Sequence, residues 1–203
     1  LRAASIGILF FLGLGSKESA IVLPVLIALY EGLLGGSETP IQMRVSRFAS
    51  AAVAMTVTGA LFFLIYFKLQ AAGFSPSANM PGKDAASSVA IMLNAFANYL
   101  RIALYPVSLC ADYIGLINSD LPQGLLFVLA ALPLGILFFC YAIRRQYPGT
   151  SFGLLFFMIS LLPVSNIIPF GAIFSERYAY MPGAGLAIAR SEERRVGKEC
   201  SLP

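Results

Sequence analysis

Histidine is missing from this chain, and charge is scarce. Without an imidazole, a His-ligated metal site and a His general base are excluded within the segment. Cysteine is sparse too. Cys110, Cys140 and Cys200 stand at spacings that fit neither a metal site nor a disulfide framework. Charged residues make up 12% of the 203 positions, against about 25% in a typical soluble domain. That shortage excludes a disordered chain, a nucleic-acid binder and an ordinary soluble enzyme. Apolar residues take the vacant share, at 58%, with a mean hydropathy of +0.80. The composition is that of a polytopic membrane protein. An initiator Met is also lacking: the chain opens on Leu1 and enters an apolar run almost at once. The expectation is a piece of a larger membrane protein, cut at both ends.

A helix needs about 20 apolar residues to cross the hydrocarbon core. Three runs meet that without a charge: 48–67, 124–143 and 151–174. The last carries Pro163 and Pro169, so its end should be kinked or unwound. Two shorter apolar runs, 3–16 and 19–30, flank Lys17 and Glu18, and the second extends through Leu33 and Leu34. Residues 85–109 are apolar but hold Arg101, with Asn94 and Asn98 one helical turn apart. A span, a re-entrant segment and an interfacial helix all remain open for that run. The fold class expected is all-α, a partial transmembrane helix bundle of about five membrane segments plus one re-entrant or interfacial helix.

Orientation follows from Lys and Arg in short loops. Arg44 and Arg47 precede one span, and Arg144 and Arg145 separate the last two. If both pairs are cytoplasmic, 48–67 runs outward, 124–143 inward and 151–174 outward. Residues 85–109 then do not cross, or re-enter. Lys17, Glu18, Glu176 and Arg177 collect on the outer side. The pI near 9.1 is therefore a topology signal rather than a binding signal.

Three stretches carry candidate chemistry. In Ser16-Lys17-Glu18-Ser19-Ala20, Ser16 can cap the following helix, with Glu18 in its first turn. Lys17 is unfavourable near a helix N-terminus, so a cation there makes sense facing an anionic ligand or an acidic partner. The second runs from Asn98-Tyr99-Leu100-Arg101 through Tyr105-Pro106 to Asp112-Tyr113. Asp112 is a weak candidate general base, a turn residue being the plainer reading. The third joins Leu162-Pro163-Val164-Ser165-Asn166 to Ser175-Glu176-Arg177-Tyr178-Ala179-Tyr180-Met181-Pro182. Arg177 offers a planar fork matched to phosphate oxygens. Glu176 can orient or neutralise it, and the hydroxyls of Tyr178 and Tyr180 can bond a sugar or phosphate. The bland reading of these charges is helix ends snorkelling to water.

In this order and spacing, the three stretches resemble the membrane region of the TMTC-type protein O-mannosyltransferases and their bacterial relatives with tetratricopeptide repeats. The likeness covers roughly residues 10–189. It implies a GT-C membrane glycosyltransferase, in which a hexose, mannose in the eukaryotic relatives, passes from a polyprenyl-phosphate carrier to an acceptor hydroxyl such as protein Ser or Thr. Arg177 and Lys17 would hold the donor phosphate, supported by Glu18, Glu176, Tyr178 and Tyr180. The family's catalytic acidic residue belongs to an outer loop that would precede Leu1. No resident cofactor is expected in this segment and no metal ligand is assigned; the lipid-linked sugar enters as substrate. The implied partners are membrane lipid, the donor, and a protein or glycan acceptor, with no nucleic acid. The implied location is a bacterial inner membrane, or the endoplasmic reticulum in a eukaryote.

Residues 190–203 depart from this pattern. They hold seven charged side chains, from Arg190 to Glu199, and resemble a sequence that recurs at the ends of unrelated chains as an assembly or adapter artefact. The domain division expected is 1–189 as the membrane region and 190–203 as a non-native tail. A transporter or flippase for lipid-linked sugars is the alternative function. It would carry its charges nearer the midplane, along a pathway. A bundle without its first helices has an unfilled seam. The 203-residue chain on its own is therefore expected to be weakly stable and inactive, and robust sugar transfer by it in detergent would refute that.

Overall fold

The computed structural model describes residues 2–35, 41–72, 85–107, 121–164 and 174–199. Every regular element among them is helical: α1 (Arg2–Ser16), α2 (Leu23–Leu33), α3 (Ile41–Ala71), α4 (Ala85–Leu104), α5 (Gln123–Ile143), α6 (Pro148–Leu161) and α7 (Tyr180–Glu199). Short 3-10 turns lead into α2 (Glu18–Val22) and α7 (Glu176–Ala179). Three helices are long and apolar enough to cross a membrane: Phe48–Leu69 within α3, Ala86–Leu104 within α4, and α5. The chain forms two compact units, Leu1–Ser77 and Ala78–Pro203, each described by itself.

In the first unit, α1 packs on α3. Gly7 lets them approach, since a Cβ there would lie 3.1 Å from Thr58 Cγ2. Small residues serve this purpose between membrane helices, where water supplies no force to press apolar faces together. Phe10, Leu14, Ala51 and Met55 form the buried core. The Thr58 hydroxyl bonds back to the Ala54 carbonyl at 2.8 Å, which satisfies it without water. Val53, Val57, Leu61 and Leu64 are exposed along α3. That apolar stripe suits lipid.

Local geometry corrects the capping expected at Ser16. Ser16 ends α1, and Lys17 is the N-cap of the 3-10 turn, with extended backbone and no side-chain cap bond. The Lys17 amide still donates to the Gly13 carbonyl at 2.9 Å. Lys17 thus sits at the negative end of α1, where a cation is favourable.

In the second unit, α5 and α6 form a tight hairpin. Pro148 takes the first turn of α6, where its missing N–H costs nothing. The buried Ser151 hydroxyl donates to the Cys140 carbonyl at 3.0 Å and ties the two helices together. The Arg144 guanidinium lies 3.6 Å over the Tyr141 ring. Helix α6 stops at Leu161, so 151–174 is not one continuous helix. Pro163 explains the stop: it has no N–H for the next turn, and the chain closes instead with a 3.1 Å bond from the Leu162 amide to the Ile159 carbonyl. Helix α4 is unbroken over 85–104, and Arg101 lies in its last turn rather than mid-helix. A cation there complements the helix dipole.

The closest packing joins α6 and α7. A Cβ on Gly153 would collide with the Gly185 carbonyl oxygen, and one on Gly185 would fall 2.5 Å from that of Gly153. The two backbones touch at this crossing. Helix α7 runs without interruption past Arg190, and the Thr150 amide donates to the Glu192 carboxylate over the first turn of α6. Replacing Gly153 by Ala should force the helices apart, lowering stability by about 1–3 kcal/mol. Gly135→Ala, inside α5 with nothing within 4 Å, is the control and should be neutral to slightly stabilising. Thermal unfolding in detergent compares the two.

Candidate functional site

The second unit contains an open cleft of about 720 Å³, and every residue lining it belongs to that unit. One wall is the end of α4, with Ile102, Ala103 and Pro106. The other is the start of α7, with Gly183, Leu186 and Ala187. Most of the lining surface is apolar. Glu176, Arg177 and Tyr180 stand at the cleft on the turn that joins the strand-like Ser175 to α7.

This turn is built on a core. Ala95, Tyr99, Phe157 and Leu161 are buried together, and Phe174, Tyr178 and Ala179 pack against them. Tyr99 is 2% exposed. Its ring lies 4.4 Å from that of Phe174, tilted by 37°. The Tyr99 hydroxyl accepts from the Ser175 amide at 3.3 Å and donates to the Ser175 carbonyl at 3.4 Å. The same carbonyl receives the Tyr178 amide at 3.0 Å, closing the first bond of the 3-10 turn.

The turn separates two neighbours. Tyr178 leans on the core, and Arg177 is exposed. They remain in contact: the Arg177 guanidinium donates to the Tyr178 hydroxyl at 3.4 Å, and its carbon lies 5.1 Å from the ring centre. A cation held against an aromatic face keeps its charge while losing freedom. Glu176 is half-buried beside it. Tyr180, the first residue of α7, is 89% exposed.

Three residues singled out in the sequence therefore share the cleft, namely Glu176, Arg177 and Tyr180. Tyr178 supports Arg177 from behind. Lys17 is exposed in the first unit, and Glu18 starts the 3-10 turn there. Asp112, Ser165 and Asn166 lie outside the described residues. The apolar walls were not foreseen, because α4 and α7 are some 80 residues apart in the chain. Their signal was partial: Tyr105-Pro106 and Tyr180-Met181-Pro182 already belonged to candidate motifs. Arg190 and Ser191 close the far end of the cleft. They belong to the tail that the sequence sets aside, and no functional weight falls on them.

Helix α4 has a second polar feature. The Asn98 side-chain amide donates to the Asn94 carbonyl at 3.0 Å and to its side-chain oxygen at 2.9 Å. Asn94, Asn98 and Arg101 recur at helical spacing along one stripe, beside the buried stripe of Ile91, Ala95, Tyr99 and Ile102.

Set against protein-family models, curated proteins and solved structures, the chain has no significant match in any of the three. Its function rests on the site.

Proposed function

We propose that the chain is part of a GT-C-type membrane glycosyltransferase that moves a hexose, mannose by preference, from a polyprenyl-phosphate carrier to an acceptor hydroxyl. The observation that carries this reading is the placement of Arg177 over Tyr178, at the charged edge of an apolar cleft. A lipid phosphate has the same division: a doubly oxygenated anionic head and a hydrocarbon tail. Arg177 presents a fork to the head, and the N-terminal end of α7 adds partial positive charge. Ile102, Pro106 and Leu186 offer the tail an apolar surface.

In the proposed reaction the acceptor oxygen attacks the anomeric carbon, the carbon–oxygen bond to phosphate breaks, and the phosphate leaves with the electron pair. Arg177 stabilises the charge that gathers on the leaving oxygens. The acceptor proton passes to a carboxylate, the group that the family resemblance implies for this step. Tyr180 is the nearest hydroxyl for the sugar, and Glu176 balances the guanidinium. Lys17, in the first unit, is the second candidate ligand for the donor phosphate.

The finer architecture belongs to the same proposal: five membrane segments, with α4 re-entrant or interfacial. Helix α4 is the least apolar of the three long helices and carries the Asn94–Asn98–Arg101 stripe. Reporter fusions after Met80 and after Asn118 should report the same side of the membrane. Opposite sides would make α4 a span. The stripe also favours the runner-up reading, since polar groups along a membrane helix suit a transport pathway for lipid-linked sugars.

The deciding assay uses the full-length protein and a labelled polyprenyl-phosphate sugar. Arg177→Ala should lower transfer roughly 100-fold or more, the effect of removing a charge-stabilising donor. Arg177→Lys should fall between, keeping charge but losing the fork. Equal transfer by wild type and Arg177→Ala removes Arg177 from the site. Lipid-linked sugar crossing vesicles without transfer would favour the transporter.

A further inference from the structure

The geometry points to Tyr99 as a positioning residue that holds the Arg177-bearing turn against α4; its link to sugar transfer rests on the glycosyltransferase reading above. The turn starts at Ser175, whose own side chain makes no capping bond. A 3-10 turn of four residues has little stability by itself, because few hydrogen bonds repay the ordering of its backbone. Its first carbonyl is met within the turn by the Tyr178 amide, but the Ser175 amide needs a partner from elsewhere. The Tyr99 hydroxyl supplies it, accepting from that amide at 3.3 Å, and also donates to the Ser175 carbonyl at 3.4 Å. A cap normally comes from the residue preceding the helix. Here it comes from a residue 76 positions earlier.

Tyr99 is fixed on every side that matters. It lies among Ala95, Phe157 and Leu161, and Phe174 covers its ring at 4.4 Å. Its position on α4 leaves the hydroxyl little freedom. From there the constraint passes through covalent and hydrogen-bonded neighbours: Ser175 to Tyr178 by the 3.0 Å backbone bond, and Tyr178 to Arg177 through the ring and the hydroxyl. Ile102, less than one turn beyond Tyr99 on the same helix, lines the cleft. Tyr99 therefore sets the distance between the apolar wall on α4 and the cation on the turn. Tyr99 is not among the residues that line the cleft, so its effect on chemistry would run through alignment.

Tyr99→Phe separates this role from packing, because it keeps the ring and its stacking on Phe174 and removes only the hydroxyl. The first measurement is amide hydrogen exchange in the full-length protein. Exchange at Ser175 and Tyr178 should quicken roughly three- to tenfold in Tyr99→Phe, the effect of losing one or two buried hydrogen bonds. Exchange in α6 near Phe157 should stay unchanged. Unchanged exchange at Ser175 overturns the anchoring, whatever the enzyme does. The second measurement is transfer, in a double-mutant cycle with Arg177→Lys. If Tyr99 acts through Arg177, Tyr99→Phe lowers kcat several-fold in the wild-type background, with a smaller change in donor KM, and has a clearly weaker effect in Arg177→Lys. An equal fold loss in both backgrounds makes Tyr99 an ordinary core residue. If wild type transfers no sugar, the glycosyltransferase reading fails, and the exchange result alone decides whether Tyr99 anchors the turn.

Discussion

The crossing of α6 and α7 at Gly153 and Gly185 is the contact on which the second unit depends. Helix α6 is apolar, and α7 is apolar only as far as Ala189, with charged residues beyond. They associate by close packing, and packing is closest where side chains are absent. Opposed glycines bring the backbones together, each carbonyl lying where a Cβ on the other would have to sit. The approach carries Phe157 and Leu186 into a shared core with α4. It also fixes the start of α7, and with it the turn that bears Arg177.

Above that crossing the architecture becomes polar in a controlled way. Tyr99 turns its ring to the core and its hydroxyl to the backbone of Ser175, so a buried aromatic residue ends on a hydrogen-bonded pair rather than an orphan group. Tyr178 repeats the pattern one layer out, with its ring against the core and its hydroxyl to Arg177. The result is a graded path from apolar interior to cation. Each step avoids the cost of an unsatisfied polar group. An exposed guanidinium held in this manner is ready for an anion while remaining hydrated.

The same physics separates the two candidate cations. Lys17 stands where α1 ends, an end that favours a cation, and also caps the turn into α2, an end that does not. Arg177 stands where α7 is about to begin, the end that disfavours cations. Its aromatic partner and its half-buried acidic neighbour make that position tolerable, and the cleft gives it an object. A positive charge placed against the local dipole is the stronger sign of use.

What the sequence settled by itself is what depends on composition and short-range pattern. The apolar bias and lack of charge pointed to helices able to cross a membrane, and three of the described helices are long and apolar enough to do so. Runs 48–67 and 124–143 became helices because length and hydrophobicity suffice for that. Pro163 marked the end of α6, since a missing N–H acts locally. Arg177, Glu176 and Tyr180 were legible as a group because they are adjacent in the chain. Other features were not legible. The tertiary structure decided that Arg101 ends α4, that the apolar walls from α4 and α7 face one cleft, and that Tyr99 caps a turn 76 residues away. It decided, too, that Gly153 meets Gly185 rather than lipid. Periodicity shows that a helix has a face but not what that face meets. The partner is chosen by close packing and by the hydrogen bonds that buried polar groups such as Tyr99 and Ser151 find, and both exist only once distant segments lie side by side.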